Sequence, residues 1–209
     1  MYILFDFDGT LIDSFHCVVK HTIGLADQFN FRKINEDDIE SLRDLSSMEL
    51  IRFLNVPIYR IPQLIQEMRK RLYLEMPHLA LAPSIYSLIE CLHRENYSLG
   101  ILTSNSKQNV TRWLELNGML TFFDFIHTES KLFSKAALLK KTLKKYRIDP
   151  RHVFYIGDET RDIEAAKKSG VCSVAVTWGY HSEKALLKCA PSFIAHTPDE
   201  VLKIIKNSN

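Results

Sequence analysis

The stretch that decides the fold is Tyr2-Ile3-Leu4-Phe5-Asp6-Phe7-Asp8-Gly9-Thr10. Tyr2–Phe5 is a short, nearly continuous apolar run that gives way to turn residues, the pattern of a strand buried on both faces of a parallel sheet. With a strand period of two, Asp6 and Asp8 point one way while Phe5 and Phe7 point the other. Two carboxylates at the carboxyl end of a parallel strand lie where open α/β sheets place their ligands. Gly9 lets the chain turn sharply there and approach a bound group closely.

Further along the chain, apolar runs at Leu99–Thr103, Phe123–His127, Val153–Ile156, Cys172–Thr177 and, more weakly, Ser192–Ala195 are strand candidates. Helical spacing separates them: Ile85, Leu88, Ile89 and Leu92; then Val110, Trp113 and Leu114; then Leu139, Leu143 and Tyr146. Thr197, Pro198 and Glu200 read as N-cap, first-turn proline and capping-box glutamate of a last helix. This alternation predicts a doubly wound, Rossmann-like α/β parallel sheet. Residues 14–81 break the rhythm. Phe15, Val18, Val19, Thr22, Ala26 and Phe29 share one helical face, and Leu64, Ile65, Met68, Leu72 and Met76 form a second stripe closed by Pro77. Shorter helices opened by Asn35 and by Ser47 are expected between them. The organisation expected is a core of residues 1–13 and 82–209 carrying a small inserted helical cap of residues 14–81.

The chain has 209 residues, 46% apolar and 25% charged, so a full core is affordable and extended disorder is not expected. Lys+Arg 27 against Asp+Glu 25 leaves a formal charge of +2, which gives no reason to expect nucleic-acid or membrane partners. No apolar run reaches the ~18–20 residues of a membrane helix. Cys17, Cys91, Cys172 and Cys189 are widely separated, with no CxxC pair. They read as reduced thiols of a cytoplasmic protein.

The chemistry concentrates at strand ends. Two neighbouring carboxylates repel one another, so something must neutralise them or divide their roles. Ile156-Gly157-Asp158-Glu159-Thr160-Arg161-Asp162 closes another buried strand. If that strand neighbours the first, Asp6, Asp158 and a backbone carbonyl make an oxygen-only, charge-dense site suited to Mg²⁺. Asp162 either holds a metal-bound water or sits as a favourable charge in the first turn of a helix at Thr160–Ser169. Glu159 and Arg161 read as solvated helix-start residues. Thr103-Ser104-Asn105, at a strand end, offers a hydroxyl and free backbone N–H groups as an anion cradle, or else ordinary caps. A cation is wanted nearby. Lys135 is placed for it, with Lys131 and Lys140 as rivals.

In order along the chain, Asp6-Phe-Asp8-Gly-Thr-Leu11, Thr103, Lys135 and Gly157-Asp158-x-x-x-Asp162 resemble the four motifs of the haloacid dehalogenase (HAD) superfamily. The resemblance spans the chain, includes a helical insertion after the first motif, and is nearest the phosphoglycolate phosphatase-like branch. Ser134-Lys135-Ala136 departs from the Lys-Pro of many relatives. The resemblance implies a Mg²⁺-dependent phosphatase acting on a small phosphorylated metabolite. Asp6 would be the nucleophile and form an aspartyl-phosphate; Asp8 would be the acid and then the base. Asp6, the Asp8 carbonyl and Asp158 would hold the metal, and Thr103, Ser104 and Lys135 the phosphate. Asp8 also implies phosphate esters rather than haloacids, whose halide leaves without a proton. The cap would exclude water, with Arg43 the cap residue chosen for a substrate anion. Rival readings are a phosphosugar mutase or phosphotransferase on the same scaffold, a regulatory phospho-acceptor domain, and a non-catalytic scaffold. The expected assembly is a monomer or weak homodimer.

Overall fold

The structure, a computed structural model, describes residues 1–129 and 135–208. The strands are β1 Tyr2–Phe5, β2 Ser98–Thr103, β3 Phe125–Thr128, β4 Val153–Gly157, β5 Cys172–Val176 and β6 Phe193–Ala195. All pair in parallel in one sheet ordered β3-β2-β1-β4-β5-β6. β3 starts two residues later than its apolar run suggests, because a 3₁₀ turn at Leu120–Phe122 takes up the chain just before it.

After β1 come the cap helices α1 Phe15–Phe29, α2 Ile39–Leu42, α3 Ser47–Leu54 and α4 Ile61–Glu75. Leu25, Ala26 and Phe29 of α1 close with Phe31, Leu54 and Val56 into a small apolar nucleus of their own. Ser46, one residue ahead of the expected Ser47, caps α3: its hydroxyl accepts from Glu49 N (3.3 Å) and Glu49 accepts from Ser46 N (2.8 Å). Asn35 precedes only a 3₁₀ turn, Glu36–Asp38. The two passages between cap and core are stitched together. Asp13 N donates to Ala80 O and Ala82 N to Leu11 O, each at 3.0 Å, while Ile12 bridges Leu81 in antiparallel fashion.

The remaining helices are α5 Ile85–Arg94, α6 Lys107–Leu116, α7 Lys135–Tyr146, α8 Thr160–Ser169, α9 Glu183–Lys188 and α10 Pro198–Asn207. The two faces of β1 feed two apolar cores. Ile3 and Phe5 join α5, α6 and α10 on one side; Leu4 joins Leu102, Tyr155, α7 and α8 on the other. Phe7 continues the first side, its ring edge-on to Trp113 at 5.6 Å, which fixes the floor under Asp6 and Asp8. At α10, Thr197 caps Glu200 N, but the Glu200 carboxylate takes His196 N (2.7 Å) instead of closing a capping box. Among the described residues, no helix is long and apolar enough to cross a membrane.

Because β1 lies between β2 and β4, the winding reverses between β1 and β4, and the crevice at their carboxyl ends is where a ligand fits an open sheet. Phe5 pairs with Ile156, and Asp6 N donates to Ile156 O (2.9 Å). The acidic loops after both strands therefore share one rim.

Candidate active site

Asp6 continues the Leu4 side of β1, the side on which α7 and α8 pack. There the Lys135 ammonium, from the first residue of α7, bridges Asp6 Oδ2 and Asp162 Oδ1. All three side chains are buried. Tyr155, inside β4, donates its hydroxyl to Asp162 Oδ1 (2.9 Å), and Asp162 Oδ2 accepts from Glu159 N (3.0 Å). Both oxygens of Asp162 are thus engaged by protein donors. It holds Lys135 and the start of α8 in place. Lys140 is exposed on α7, and Lys131 lies outside the described residues.

Asp8 is oriented separately. Its carboxylate accepts from Asn105 Nδ2 (2.9 Å) and Ser14 Oγ (3.3 Å), and Ser14 in turn meets Tyr180 Oη at 2.7 Å. Burial pushes the Asp8 pKa up to about 6, against the pull of those two hydrogen bonds. Asp6 is also pushed up by burial, opposed chiefly by Lys135.

Asp158 sits between the two loops. It accepts from Thr10 Oγ1 (2.7 Å) and Tyr180 N (2.7 Å). A Cβ at Gly9 or at Gly179 would fall 2.2 Å from its Oδ2, and Gly9 also has φ +75°. Both positions therefore require glycine. Burial holds the Asp158 pKa well above the carboxylate range, with Glu159, Asp6 and Asp162 adding to the effect.

The expectation of solvated Glu159 and Arg161 is corrected. Glu159 is buried and paired with Arg161 (Nη2–Oε1 2.5 Å, Nε–Oε2 2.9 Å). Burial alone would raise the Glu159 pKa, but Arg161 and Lys135 outweigh it and hold it at about 2. Arg161 also donates to Ser104 Oγ (3.1 Å). In the expected anion cradle, Thr103 Oγ1 accepts from Asn105 N (3.0 Å) and Asn105 Oδ1 from Ser106 N (2.7 Å). Those two amides are satisfied within the loop, and the side chain of this loop that reaches Asp8 is Asn105.

A family model described as haloacid dehalogenase-like hydrolase matches residues 3–176. The chain belongs to that family. A phosphoglycolate phosphatase of Synechococcus elongatus is 34% identical over 203 residues, covering 97% of this chain and 96% of that protein. A pyrophosphatase PpaX of Oceanobacillus iheyensis is 25% identical over 219 residues, covering 99% and 97%. Among solved structures, a haloacid dehalogenase-like hydrolase from Streptococcus pneumoniae superimposes with a TM-score of 0.79 at 25% identity, covering 97% of each chain.

Phosphatases of this family generally use a divalent metal, and the rim of this hydrolase fits such a cation. Asp6 Oδ1 is buried with no partner among the described residues. Oxygens of Asp6, Glu159 and Asp162 lie within 4.8 Å of one another. Those of Glu159 and Asp162 are already taken by Arg161, Ser47, Lys135, Tyr155 and Glu159 N, so the open ligand atom of this group is Asp6 Oδ1. Asp158, one loop away, is a buried acid short of positive charge. An excess of buried carboxylate over cation is costly unless a metal or proton supplies the difference.

The cap of this hydrolase closes over the rim through polar clasps on both sides. Arg43, expected to meet a substrate anion, donates instead to Gly179 O (3.0 Å) and Tyr180 O (3.2 Å). Ser47 Oγ donates to Glu159 Oε2 (3.1 Å). On the other side Arg69, from α4, donates to the carbonyls of Ser104 and Glu129, and its buried Nε has no partner among the described residues. A largely apolar cavity of about 250 Å³ lies between Phe15, Val18 and Val19 of α1, Leu50 and Ile51 of α3, and Glu159 and Tyr180 of the rim.

Asn105, Ser14, Tyr155, Tyr180 and Arg69 were not among the site residues read from sequence. Only Asn105 carried a local signal, through its place beside Thr103 and Ser104.

Proposed function

We propose that this chain is a phosphatase that hydrolyses a small phosphorylated metabolite through an aspartyl-phosphate on Asp6, in the manner of the phosphoglycolate phosphatase-like relatives. The observation that carries this reading is the asymmetry of Asp6. One oxygen is pinned by Lys135, and the other is buried with no partner among the described residues. A carboxylate so held has one reactive oxygen at a fixed position.

Asp6 attacks phosphorus as the ester P–O bond breaks. Asp8, its pKa raised to about 6, gives its proton to the departing alkoxide. In the second half, Asp8 takes a proton from the water that attacks the aspartyl-phosphate; Asp6 is released as carboxylate and Asp8 is protonated again. Asn105 and Ser14 keep Asp8 aimed throughout. Lys135 stabilises charge on Asp6 and on the phosphoryl oxygens, joined by Thr103 and Ser104 at the β2 end. Mg²⁺, held by Asp6, the Asp8 carbonyl and Asp158, would offset the repulsion between a carboxylate nucleophile and a phosphate anion. Four unpaired cysteines support a reducing compartment, the cytoplasm.

The test is release of inorganic phosphate from a panel of phosphoglycolate, sugar phosphates, nucleotides and pyrophosphate, with Mg²⁺ and with chelator. Turnover of at least one monoester that requires Mg²⁺ and disappears in Asp6→Asn is expected. Substantial activity retained by Asp6→Asn would overturn the covalent scheme.

A further inference from the structure

We propose that Cys17, His21 and Glu75 form a second cation site, in the cap, that takes a borderline divalent ion of the zinc class. Cys17 and His21 stand four residues apart on α1 and so share one face of it. Glu75 is the last residue of α4, the helix that packs along α1. One ligand atom from each, a thiol sulfur, an imidazole nitrogen and a carboxylate oxygen, lie within 4.8 Å of one another. Ligands about 2.0–2.3 Å from a tetrahedral zinc are separated by roughly 3.5 Å, so small side-chain shifts close the shell. The His21 ring is already turned to the carboxylate, with Nε2 3.1 Å from Glu75 Oε1. All three residues are half-buried, which admits an ion and leaves a fourth position for water.

The donor set separates this site from the rim. A sulfur and an imidazole nitrogen select zinc-class ions, whereas the all-oxygen rim suits hard cations. On binding, the Cys17 thiol loses its proton to solvent as the sulfur–metal bond forms, and the His21–Glu75 contact is replaced by two bonds to the ion. The location gives the site a consequence. α1 leaves the rim at Ser14, which touches Asp8, and α4 leads back toward the crossing where Leu81 bridges Ile12. An ion there ties the outgoing helix to the returning one at the base of the cap.

This inference does not depend on the phosphatase reading. The experiment uses the full chain, stripped by chelator and then held in excess Mg²⁺. Zn²⁺ is titrated by calorimetry, and Co²⁺ serves as the optical probe of a thiolate ligand. One Zn²⁺ per chain is expected, with a thiolate-to-cobalt absorption band that Cys17→Ser abolishes. Loss of even an outer-sphere partner of a metal ligand costs about 10–100-fold in affinity, so His21→Ala and Glu75→Gln should each cost at least tenfold. Asp158→Asn should leave zinc affinity unchanged. Circular dichroism of each chelated variant checks the fold, and Glu75→Gln, near-isosteric, carries the test if a variant of α1 is misfolded. No saturable Zn²⁺ binding, or binding indifferent to Cys17→Ser and Glu75→Gln, or binding lost in Asp158→Asn, would overturn the proposal.

Discussion

Two sets of charged contacts, one within the rim of the sheet and one between cap and core, differ in burial more than in kind. At the rim, Lys135, Asp6 and Asp162 have side chains only 4%, 2% and 2% exposed. At the cap seam, Lys184 meets Asp44 at 2.6 Å with side chains 69% and 30% exposed, and Arg43 reaches backbone carbonyls and Glu40. A buried ion pair whose partner is removed leaves an uncompensated charge in a medium that cannot solvate it. An exposed pair merely returns to water. The rim is therefore a coupled unit, whereas the cap seam is a set of separable latches.

The largest effect expected from this contrast is at Lys135. In Lys135→Met the ammonium is gone and two buried carboxylates face each other, which should cost about 3–5 kcal/mol of stability. The loss of charge at the phosphoryl site should lower kcat about a hundred- to a thousandfold. Chemical denaturation and steady-state kinetics measure the two. Adding Asp6→Asn to Lys135→Met should recover part of the stability and none of the activity. A Lys135→Met protein as stable as its parent would show that the rim is not coupled.

Next in size is the acid–base group. The Asp8 pKa is raised from 3.8 to about 6, so the folded state binds its proton more tightly than the unfolded chain does. Its contribution to stability is then fully present below about pH 4 and is lost as pH rises through about 6. Two pKa units correspond to about 3 kcal/mol, and the partial exposure of Asp8 reduces the expected effect to about 1–2 kcal/mol. Melting curves in chelator at pH 4.5 and pH 7 measure it. Asp8→Asn should show a smaller decline between the two than the parent, whose Asp6 and Asp158 contribute in the same direction. An equal decline in both proteins would place the titrating group elsewhere.

The rim was far more legible in the sequence than the cap seam, for a physical reason. Asp6, Asp8 and Asp158 lie where buried strands end in tight glycine turns, so strand period and turn chemistry place each at a strand end, while the pairing of β1 with β4 that puts them on one rim comes from the fold. Lys135 stands out from a lysine-rich region as a cation wanted near a phosphate at a helix start; that its ammonium bridges two buried carboxylates, Asp6 and Asp162, appears only in three dimensions. Tyr155 was hidden inside an apolar run: nothing local says that its hydroxyl meets Asp162. Glu159 and Arg161 read as solvated because either charge alone would be. Their mutual neutralisation, with Ser47 of the cap above, appears only in three dimensions. Arg43 and Arg69 both turn out to reach backbone carbonyls across the seam, which no local pattern announces. A stripe of helical spacing says which face of α4 is apolar, but not that Arg69 at its edge reaches the end of β2.

The smallest effect should come from the latches. Arg43 gives its guanidinium to Gly179 O and Tyr180 O, carbonyls that water can satisfy once the cap lifts. Arg43→Ala should therefore cost less than about 1 kcal/mol of global stability. Its mark should be kinetic, because the loop it grips runs from Gly179 against Asp158 to Tyr180 beside Ser14 and Asp8. A looser cap is expected to raise KM several-fold and leave kcat within about twofold, if closure is fast relative to chemistry. Arg69→Ala, which frees the opposite latch at Ser104 and Glu129, should do the same, and the double variant should exceed either alone because each latch holds its own side of the cap independently. Global destabilisation by Arg43→Ala as large as that of Lys135→Met would mean that seam and rim unfold as one charge network, and the distinction drawn from their burial would fail.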